Sequence, residues 1–568
     1  MKIFDKLKKL KYKHPWDKYY KKDERTIKVP EESLYEYLVK CSEYNLNCPA
    51  LNYFGNKMSY KSMLNKIDLC ARALKSQGVR ENDVVTICMA NTPEAVIALY
   101  AVNKIGAVAN MIHPLSAEEE IKYSLESTKS VFLITIDLSY TKVKNIIDRT
   151  NIYKTVIVSA ADSMPKYMGV AYRLSTLFKV EKPKKTEKYM YWNTFMERGK
   201  NYKERVLVHR KPDDNCLILH SGGTTGTPKN IILTNGNINS IMEQAKIIFP
   251  SITTGDKFLS VLPLFHCFGL VVCVHAPLCL GATAILIPQF DASRFDKLIT
   301  KYHPTILPGV PTLFEALIKN KHMENVDLSY VKYVISGGDS LSKVKNEQVN
   351  NFLKEHGCNE TILQGYGMTE TSGPTCIGAM GSDKLGSVGI PLPGNEVKII
   401  EPNTGLEVGP GEVGEICLTG PTVMKGYLDN EEETNNIIFV EDNKRWVHTG
   451  DLGYMDEDGV IFFVQRLKRM LIVSGYNVYP SHIEDIIMEL PFVENCGVIG
   501  VPHPYKVQVP KAYIVLKKNQ KATNEIKREI RQHCEKKLAK YMLPKEYEFK
   551  ESLPKTMIGK VDYKNLDK

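Results

Sequence analysis

Residues 219–231 read LHSGGTTGTPKNI, with glycines, hydroxyls and one lysine set between two apolar flanks. Ser221, Gly222, Gly223, Thr224, Thr225, Gly226, Thr227 and Lys229 have the chemistry to hold an anion. Small residues let backbone N–H groups close on it, hydroxyls add donors, and an ammonium adds charge. The spacing is not that of a Walker loop, which needs lysine directly after its last glycine and then Ser or Thr. Here Thr227 and Pro228 intervene and Asn230 follows. From this stretch alone, phosphate binding and a plain surface loop both stay open.

Five further polar stretches share that look. SGGDSL (336–341) follows the apolar run YVIS, and QGYGMTET (364–371) follows TIL. WVHTGDLGYMDEDG (446–459) precedes VIFFV, QRLKRMLIVSGYNVYPSHIE spans 465–484, and LPKTMIGKVDYKNL covers 553–566. Taken singly they are weak. Asp451 and Arg466 could form a surface salt bridge, Lys560 could be a solvated tail lysine, and His266 in PLFHCFG could be a satisfied core histidine.

The elements that must carry these residues are legible as alternating strands and helices. Residues 61–78 place Met63, Leu64, Ile67, Ala71 and Leu74 at helical spacing and end in Gly78. DVVTICMA then reads as a buried strand, TPEAVIALYAVNKIG as a helix with Pro93 at its start, and SVFLIT as another strand. The alternation predicts parallel sheets covered by helices. Residues 163–203, rich in Lys, Tyr and Met with little periodicity, read as an irregular excursion. From about Gly386, short strands with Gly, Pro and Asn turns predict a small antiparallel barrel or meander. After Arg466 comes a separate α/β unit of about a hundred residues, with helices near SHIEDIIMEL and EIKREIRQHCEKKLAK and a strand at AYIVLKK. The expected architecture is thus α/β: a basic arm (1–30), a large domain (31–466) with two helix-covered parallel-sheet subdomains and a β-rich part about 386–466, and a small α+β domain (467–568), which the resemblance given below implies is a mobile lid.

Composition excludes several function classes. Hydrophobic content of 43% and charged content of 25% suit a globular chain of 568 residues. Residues 1–30 hold eleven Lys/Arg against four Asp/Glu, a net of +7 out of +10, so the rest is nearly balanced. That argues against a nucleic-acid enzyme, whose binding face would be basic. The arm also carries Ile3, Phe4, Leu7 and Leu10 among its lysines; a solvated arm and weak contact of residues 1–28 with anionic membrane are both open. The thirteen cysteines show no CxxC pair and no zinc spacing, so buried thiols in a reducing cytosol are expected. Residues 258–290 lack Asp, Glu, Lys and Arg, yet Pro263, Pro277, Pro288, Gly269 and Gly281 break the run into core elements rather than a membrane span.

In this order and at these separations, the six motifs resemble the adenylate-forming superfamily of acyl-CoA synthetases, peptide-synthetase adenylation domains and luciferases. The resemblance covers about residues 30–566. It implies ATP, Mg²⁺ and CoA, with the first loop on the β- and γ-phosphates that leave as pyrophosphate. It also implies that Glu370 ligates Mg²⁺ and Thr369 donates to the α-phosphate. Asp451 would accept from the ribose hydroxyls, assisted by Arg466. Gly338, Asp339, Ser340, Gly365 and Tyr366 would line the adenine slot. Lys560 would meet the substrate carboxylate and α-phosphate, Lys468 would be the hinge on which the lid swings, Gly475 would border the pantetheine path, and His266 would stand at the acyl-site entrance. Departures from the family pattern are Asn230 for glycine, Asp339-Ser340 for Ala-Pro or Ala-Glu, His482 for an acid, and Tyr563 for arginine. The function it implies is a cytoplasmic acyl-CoA synthetase acting on a hydrophobic, fatty acid. Alternatives are an aryl-acid–CoA ligase, a free-standing acyl–carrier-protein ligase, a luciferase-like oxygenase and a non-enzymatic ATP-binding regulator. Oligomeric state is not legible.

Overall fold

The computed structural model describes residues 14–177, 181, 188–221, 228–473, 476–503, 507–555 and 561–567. Two sheets form the body of the large domain. One has nine strands, and its central six are parallel: Pro49–Tyr53, Thr283–Leu286, Lys257–Ser260, Ile306–Gly309, Tyr333–Ser336 and Ile362–Met368. The other has eight strands, parallel through Val84–Cys88, Val108–Ile112, Phe132–Ile136 and Asn215–Ser221. The expected helix over 61–78 is Tyr60–Ser76, started by Ser59, whose hydroxyl accepts from Ser62 N. Helix Pro93–Lys104 has proline at its first turn and a Thr92 cap, and all twelve of its residues are buried. That burial explains why Ala95–Val102, between Glu94 and Asn103, is apolar on every face.

The charge-free run resolves into core pieces. Strand Lys257–Ser260 is followed by a wide π-type turn, Phe268–His275, a short helix Ala276–Cys279 and strand Thr283–Leu286. Gly269 is required there, because a Cβ would lie 2.0 Å from Pro263 O. Among the described residues, no helix is long and apolar enough to cross a membrane. All thirteen cysteines are free thiols, and all but Cys41 and Cys48 are buried.

Three expectations need correcting. Residues 163–203 are not irregular: they hold helix Lys166–Ser175, strand Tyr189–Tyr191 and helix Trp192–Asn201, with 178–180 and 182–187 outside the described residues. The β-rich part is an open five-stranded antiparallel sheet rather than a closed barrel, in the order Glu396–Ile400, Gly414–Thr419, Lys444–Met455, Ile438–Glu441, with Ile461–Arg466 also on the third strand. The basic arm is not free throughout. Trp16 and Tyr20 are buried, Tyr20 Oη donates to Pro391 O at 2.9 Å, and Lys18 pairs with Asp458.

The small domain after Arg466 is a five-stranded sheet covered by helices Pro480–Met488 and Asn524–Lys537, with its own apolar core. Among the described residues, its polar contacts with the large domain include Lys319 Nζ to Glu494 at 2.6 Å and Ser481 Oγ to Gln465 Oε1 at 3.3 Å.

Candidate functional site

A cavity of about 1530 Å³ runs between the sheets and reaches the joint with the small domain. Most of the motif residues converge on it. Ser221, Lys229, His266, Gly338, Gly365, Tyr366, Thr369, Glu370, Arg466 and Lys468 all line it. Asp339 and Ser340 do not: they are exposed, and Asp339 Oδ1 accepts from Ser340 N at 2.9 Å. The adenine-slot expectation for those two therefore finds no support in the geometry. Gly222, Gly223, Thr224, Thr225, Gly226, Thr227, Gly475 and Lys560 lie outside the described residues.

The first loop is the tip of a hairpin. Strands Asn215–Ser221 and Lys229–Thr234 pair antiparallel with Ser221 opposite Lys229, which fixes both ends of the loop. Behind its root, His220 Nε2 meets Asn110 Oδ1 at 2.7 Å and Ser124 Oγ at 3.2 Å. Burial pushes His220 down to about 4, so the ring is neutral near pH 7. Protonation is therefore easier in the unfolded chain than in the fold. This contribution to stability is present above about pH 6.5 and lost as pH falls toward 4. We expect wild type to lose its stability advantage over a His220→Gln variant across that window, read as thermal midpoints. A constant difference would contradict a neutral, buried His220.

Lys229 does not point into solvent. Its Nζ is 2.5 Å from Glu433 Oε2 and 4.9 Å from the centre of the Tyr427 ring. Tyr427 in turn donates to Glu370 Oε1 at 3.0 Å, and Ser221 Oγ donates to the same oxygen at 3.4 Å. Thus Ser221 and Lys229 from the hairpin, Glu370 from the turn Thr369–Thr371, and Tyr427 with Glu433 form one polar cluster. Burial, with the Glu370 carboxylate beside it, pushes the Tyr427 hydroxyl up. The turn is anchored because Glu370 O accepts from Met424 N at 2.8 Å. It sits beside a glycine that admits no side chain: a Cβ on Gly367 would lie 1.9 Å from Gly373 O.

Asp451 and Arg466 face each other across paired strands. Arg466 Nε is 3.0 Å from Asp451 Oδ1, Tyr366 Oη donates to Asp451 Oδ2 at 2.8 Å, and the aspartate is 3% exposed. A buried acceptor held by a cation and a phenol is no surface salt bridge; Arg466 and Tyr366 line the cavity, whereas Asp451 does not. Burial, reinforced by Asp451, holds the Tyr366 hydroxyl well above its usual range. The strand just before is braced by His448 Nδ1 to Glu415 Oε2 at 2.9 Å and by Gly450 N to Glu415 Oε1 at 2.9 Å.

Lys468 is the middle of the short turn Leu467–Arg469, at the cavity wall where the two domains join. Val561, Asp562 and Tyr563, the residues after Lys560, line the same cavity. They are held by Asp562 N to Pro554 O at 2.8 Å and by the Arg469 guanidinium, 3.6 Å above the Tyr563 ring. Arg469 also reaches Glu484 Oε1 at 2.6 Å. His266 is half-buried, with Nδ1 accepting from Phe268 N at 3.3 Å.

Sequence reasoning missed Tyr427, Glu433 and His113, whose ring lies 4.3 Å from that of Phe265 at the cavity wall. No local motif marks them.

With this geometry in place, likeness to known proteins can be weighed. A model of AMP-binding enzymes matches residues 40–428, and a model of the AMP-binding enzyme C-terminal domain matches 482–560. The chain belongs to the AMP-binding enzyme family. It is 32% identical over 554 residues to a long-chain-fatty-acid–CoA ligase of Bacillus subtilis, covering 96% of each chain. It is 31% identical to the protein of that name from Haemophilus influenzae, covering 93% of each. Among solved structures, the anthranilate CoA ligase AuaEII in complex with anthranoyl-AMP superposes with a TM-score of 0.81 at 25% identity, covering 94% of this chain and 96% of that one. The o-succinylbenzoate CoA synthetase of Bacillus subtilis does so with 0.74 at 25%, covering 95% and 99%. As an AMP-binding enzyme, the chain places its two matched regions on the large domain and on the small domain after the Leu467–Arg469 turn.

Proposed function

We propose that this AMP-binding enzyme joins a hydrophobic, long-chain fatty acid to CoA in two steps. The acid's carboxylate oxygen attacks the α-phosphorus of ATP, giving acyl-AMP and pyrophosphate. The CoA thiol then attacks the acyl carbonyl, losing its proton, and AMP leaves. The observation that carries the choice of acid is an apolar part of the cavity lining. Ile248, Ile252, Phe258, Leu280, Ile377 and Leu392 line the cavity and belong to one apolar cluster. Such a wall offers a polar acid no partner, whereas each buried methylene contributes about 0.8 kcal/mol. The anthranilate and o-succinylbenzoate ligases named above keep an aryl acid as the second reading.

Glu370 fits a Mg²⁺ ligand: an acceptor-only carboxylate, 6% exposed, at the cavity wall beside the phosphate loop. The ion would neutralise phosphate charge there. Thr369 and Ser221 would donate to phosphate oxygens. Lys229 would exchange Glu433 for phosphate, so Glu433 keeps it placed between turnovers. Asp451 would accept from the ribose hydroxyls while Arg466 and Tyr366 hold it in place. Asp451→Asn should raise the KM for ATP about tenfold or more, since charge-assisted hydrogen bonds weaken. Unchanged ATP saturation would remove it from the ribose site.

A panel of carboxylic acids, followed by pyrophosphate release with and without CoA, tests the choice of acid. Saturated long-chain acids should lead; faster turnover of benzoate-type acids would favour the aryl reading. Carrier-protein acylation without CoA use, or substrate-dependent O₂ uptake, would reassign the second step. The enzyme is proposed to be cytoplasmic, with weak peripheral contact through its basic N-terminus. Because Trp16 is buried, the truncation that tests this stops at residue 13. It should lower co-sedimentation with anionic vesicles and leave activity on a soluble short acid intact.

A further inference from the structure

Three side chains able to ligate a metal meet in the β-rich part of the large domain. Cys417 lies opposite His448 on the paired strands Gly414–Thr419 and Lys444–Met455. Glu415 is two residues back on the Cys417 strand and shares its face. The register shifts between Glu415 and Cys417, where the partner strand sets Thr449, Gly450 and Asp451 against Ile416. Such a bulge re-aims side chains. Here Gly450, at a φ of 66°, donates its N–H to Glu415 Oε1 at 2.9 Å, and Oε2 is left facing the imidazole. His448 Nδ1 is 2.9 Å from Glu415 Oε2 and 3.7 Å from Cys417 Sγ, and the three ligand atoms lie within 4.8 Å of one another. Among the described residues, no other three His, Cys, Asp or Glu side chains bring their ligand atoms so close.

We propose that Glu415, Cys417 and His448 bind one borderline-soft divalent cation, Zn²⁺, at a site separate from the Mg²⁺ site at Glu370. The geometry suits it. Around tetrahedral Zn²⁺, the imidazole nitrogen stands ~3.3 Å from a carboxylate oxygen and ~3.6 Å from a thiolate sulfur. Side-chain shifts of about 0.4 Å would reach those spacings. The donor set decides the class of ion, because thiolate and imidazole suit Zn²⁺ whereas Mg²⁺ demands oxygen ligands. Carboxylate and thiolate together balance its charge, as a buried site requires. Three protein ligands leave a fourth position open. Glu415 and His448 line the cavity, which gives the ion its way in. The ligands are also supported from outside. Glu415 keeps Gly450 N on its second oxygen, the Phe439 ring lies 4.5 Å from the His448 ring, and Cys417 packs with Ile400 and Trp446. Burial, and then the Glu415 carboxylate, pushes the Cys417 thiol up. The S–Zn bond therefore forms as the thiol proton leaves to solvent. Lys398, opposite Cys417 on the next strand, has its ammonium paired with Glu441, so its charge is offset. The site shares no ligand with Glu370, and its test reads metal binding rather than turnover, so the outcome does not depend on which acid is activated.

The test takes the full chain, freed of metal by a chelator, and titrates it with Co²⁺ and then Zn²⁺ without nucleotide. Co²⁺ should give a thiolate-to-cobalt charge-transfer band in the near ultraviolet, which Zn²⁺ removes and excess Mg²⁺ does not. Zn²⁺ should also raise the thermal midpoint. Cys417→Ser should lose the band. Cys417→Ser and His448→Asn should each bind Zn²⁺ at least about 10²-fold more weakly, beyond the usual cost of losing an outer-shell partner. A Cys41→Ser/Cys48→Ser chain, lacking the two thiols that are not buried, should keep the band. The His448 side chain is 36% exposed, so its variant carries the comparison if replacing the buried thiol unfolds the chain. Absence of a thiolate band in wild type, wild-type affinity in both ligand variants, a band lost with Cys41 and Cys48, or displacement by Mg²⁺ would each overturn the proposal and leave the three side chains a hydrogen-bonded brace.

Discussion

Lys560→Ala should form acyl-adenylate about 10²–10³ times more slowly than wild type, the scale of removing one preorganised donor from a developing anion. The reason is charge. A carboxylate approaching a triphosphate brings two anions together, and the site must offset both and align them. Among the described cations at the cavity wall, Arg466 is paired with Asp451 and Arg469 with Glu484, and Lys229 is the one assigned to the leaving phosphates. The segment after Lys560 lines the cavity, pinned by Pro554 and by Arg469 above Tyr563. Thioester formation from supplied acyl-AMP should be spared, because the attack of a thiol on an activated carbonyl needs no such offset. Single-turnover assays of each half-reaction check this. Equal loss of both would show that the lysine supports the fold or the binding of AMP rather than the first chemical step.

The second large effect is expected at Lys468, the proposed hinge. Proline fixes φ near −65° and disfavours helical backbone in the residue before it. Lys468 sits in a one-turn helix flanked by extended residues, Arg466 on one side and Met470 on the other. Lys468→Pro should leave adenylate formation within a few-fold of wild type. Transfer to CoA should drop by at least about 10²-fold, as expected when a reacting group cannot reach its geometry. Acyl-AMP should then accumulate on the protein, visible by rapid quench. Normal overall turnover would place the pivot elsewhere.

Much of this arrangement was legible in the sequence because its determinants are local. Thr92-Pro93 starts a helix, Gly78 follows the end of one, and the apolar flank ending at Ser221 marks a strand, whereas its antiparallel partner Lys229–Thr234 was not foreseen. Of the motif residues, Glu370, Tyr366 and Arg466 line one cavity, and Asp451 reaches it only through its contacts with Arg466 and Tyr366. What escaped depends on contacts between distant parts of the chain. Tyr427 and Glu433 reach the site only because the short strand Gly426–Tyr427 pairs with the hairpin strand Lys229–Thr234. Trp16 is buried among residues such as Val460 and Phe258 that no local pattern could supply. Helix Lys166–Ser175 hid for another reason. Tyr167, Val170 and Leu174 recur at helical spacing but face outward while Gly169 and Tyr172 face inward, and Pro165 supplies no side-chain cap to mark the start. Helix Trp192–Asn201 did carry the pattern, in Trp192, Phe195, Met196 and Gly199. The surrounding lysines and tyrosines masked it. Asp339 shows the converse: a motif position in sequence, yet its side chain turns to its own backbone.

The central claim is that a hydrophobic acid is first coupled to AMP and only then to a thiol. The most direct measurement is exchange of labelled pyrophosphate into ATP in the absence of CoA. A saturated long-chain acid should support rapid exchange, Glu370→Gln should abolish it, and adding CoA should yield AMP and acyl-CoA in equal amounts. No acid-dependent exchange, or ADP and phosphate as products, would contradict it.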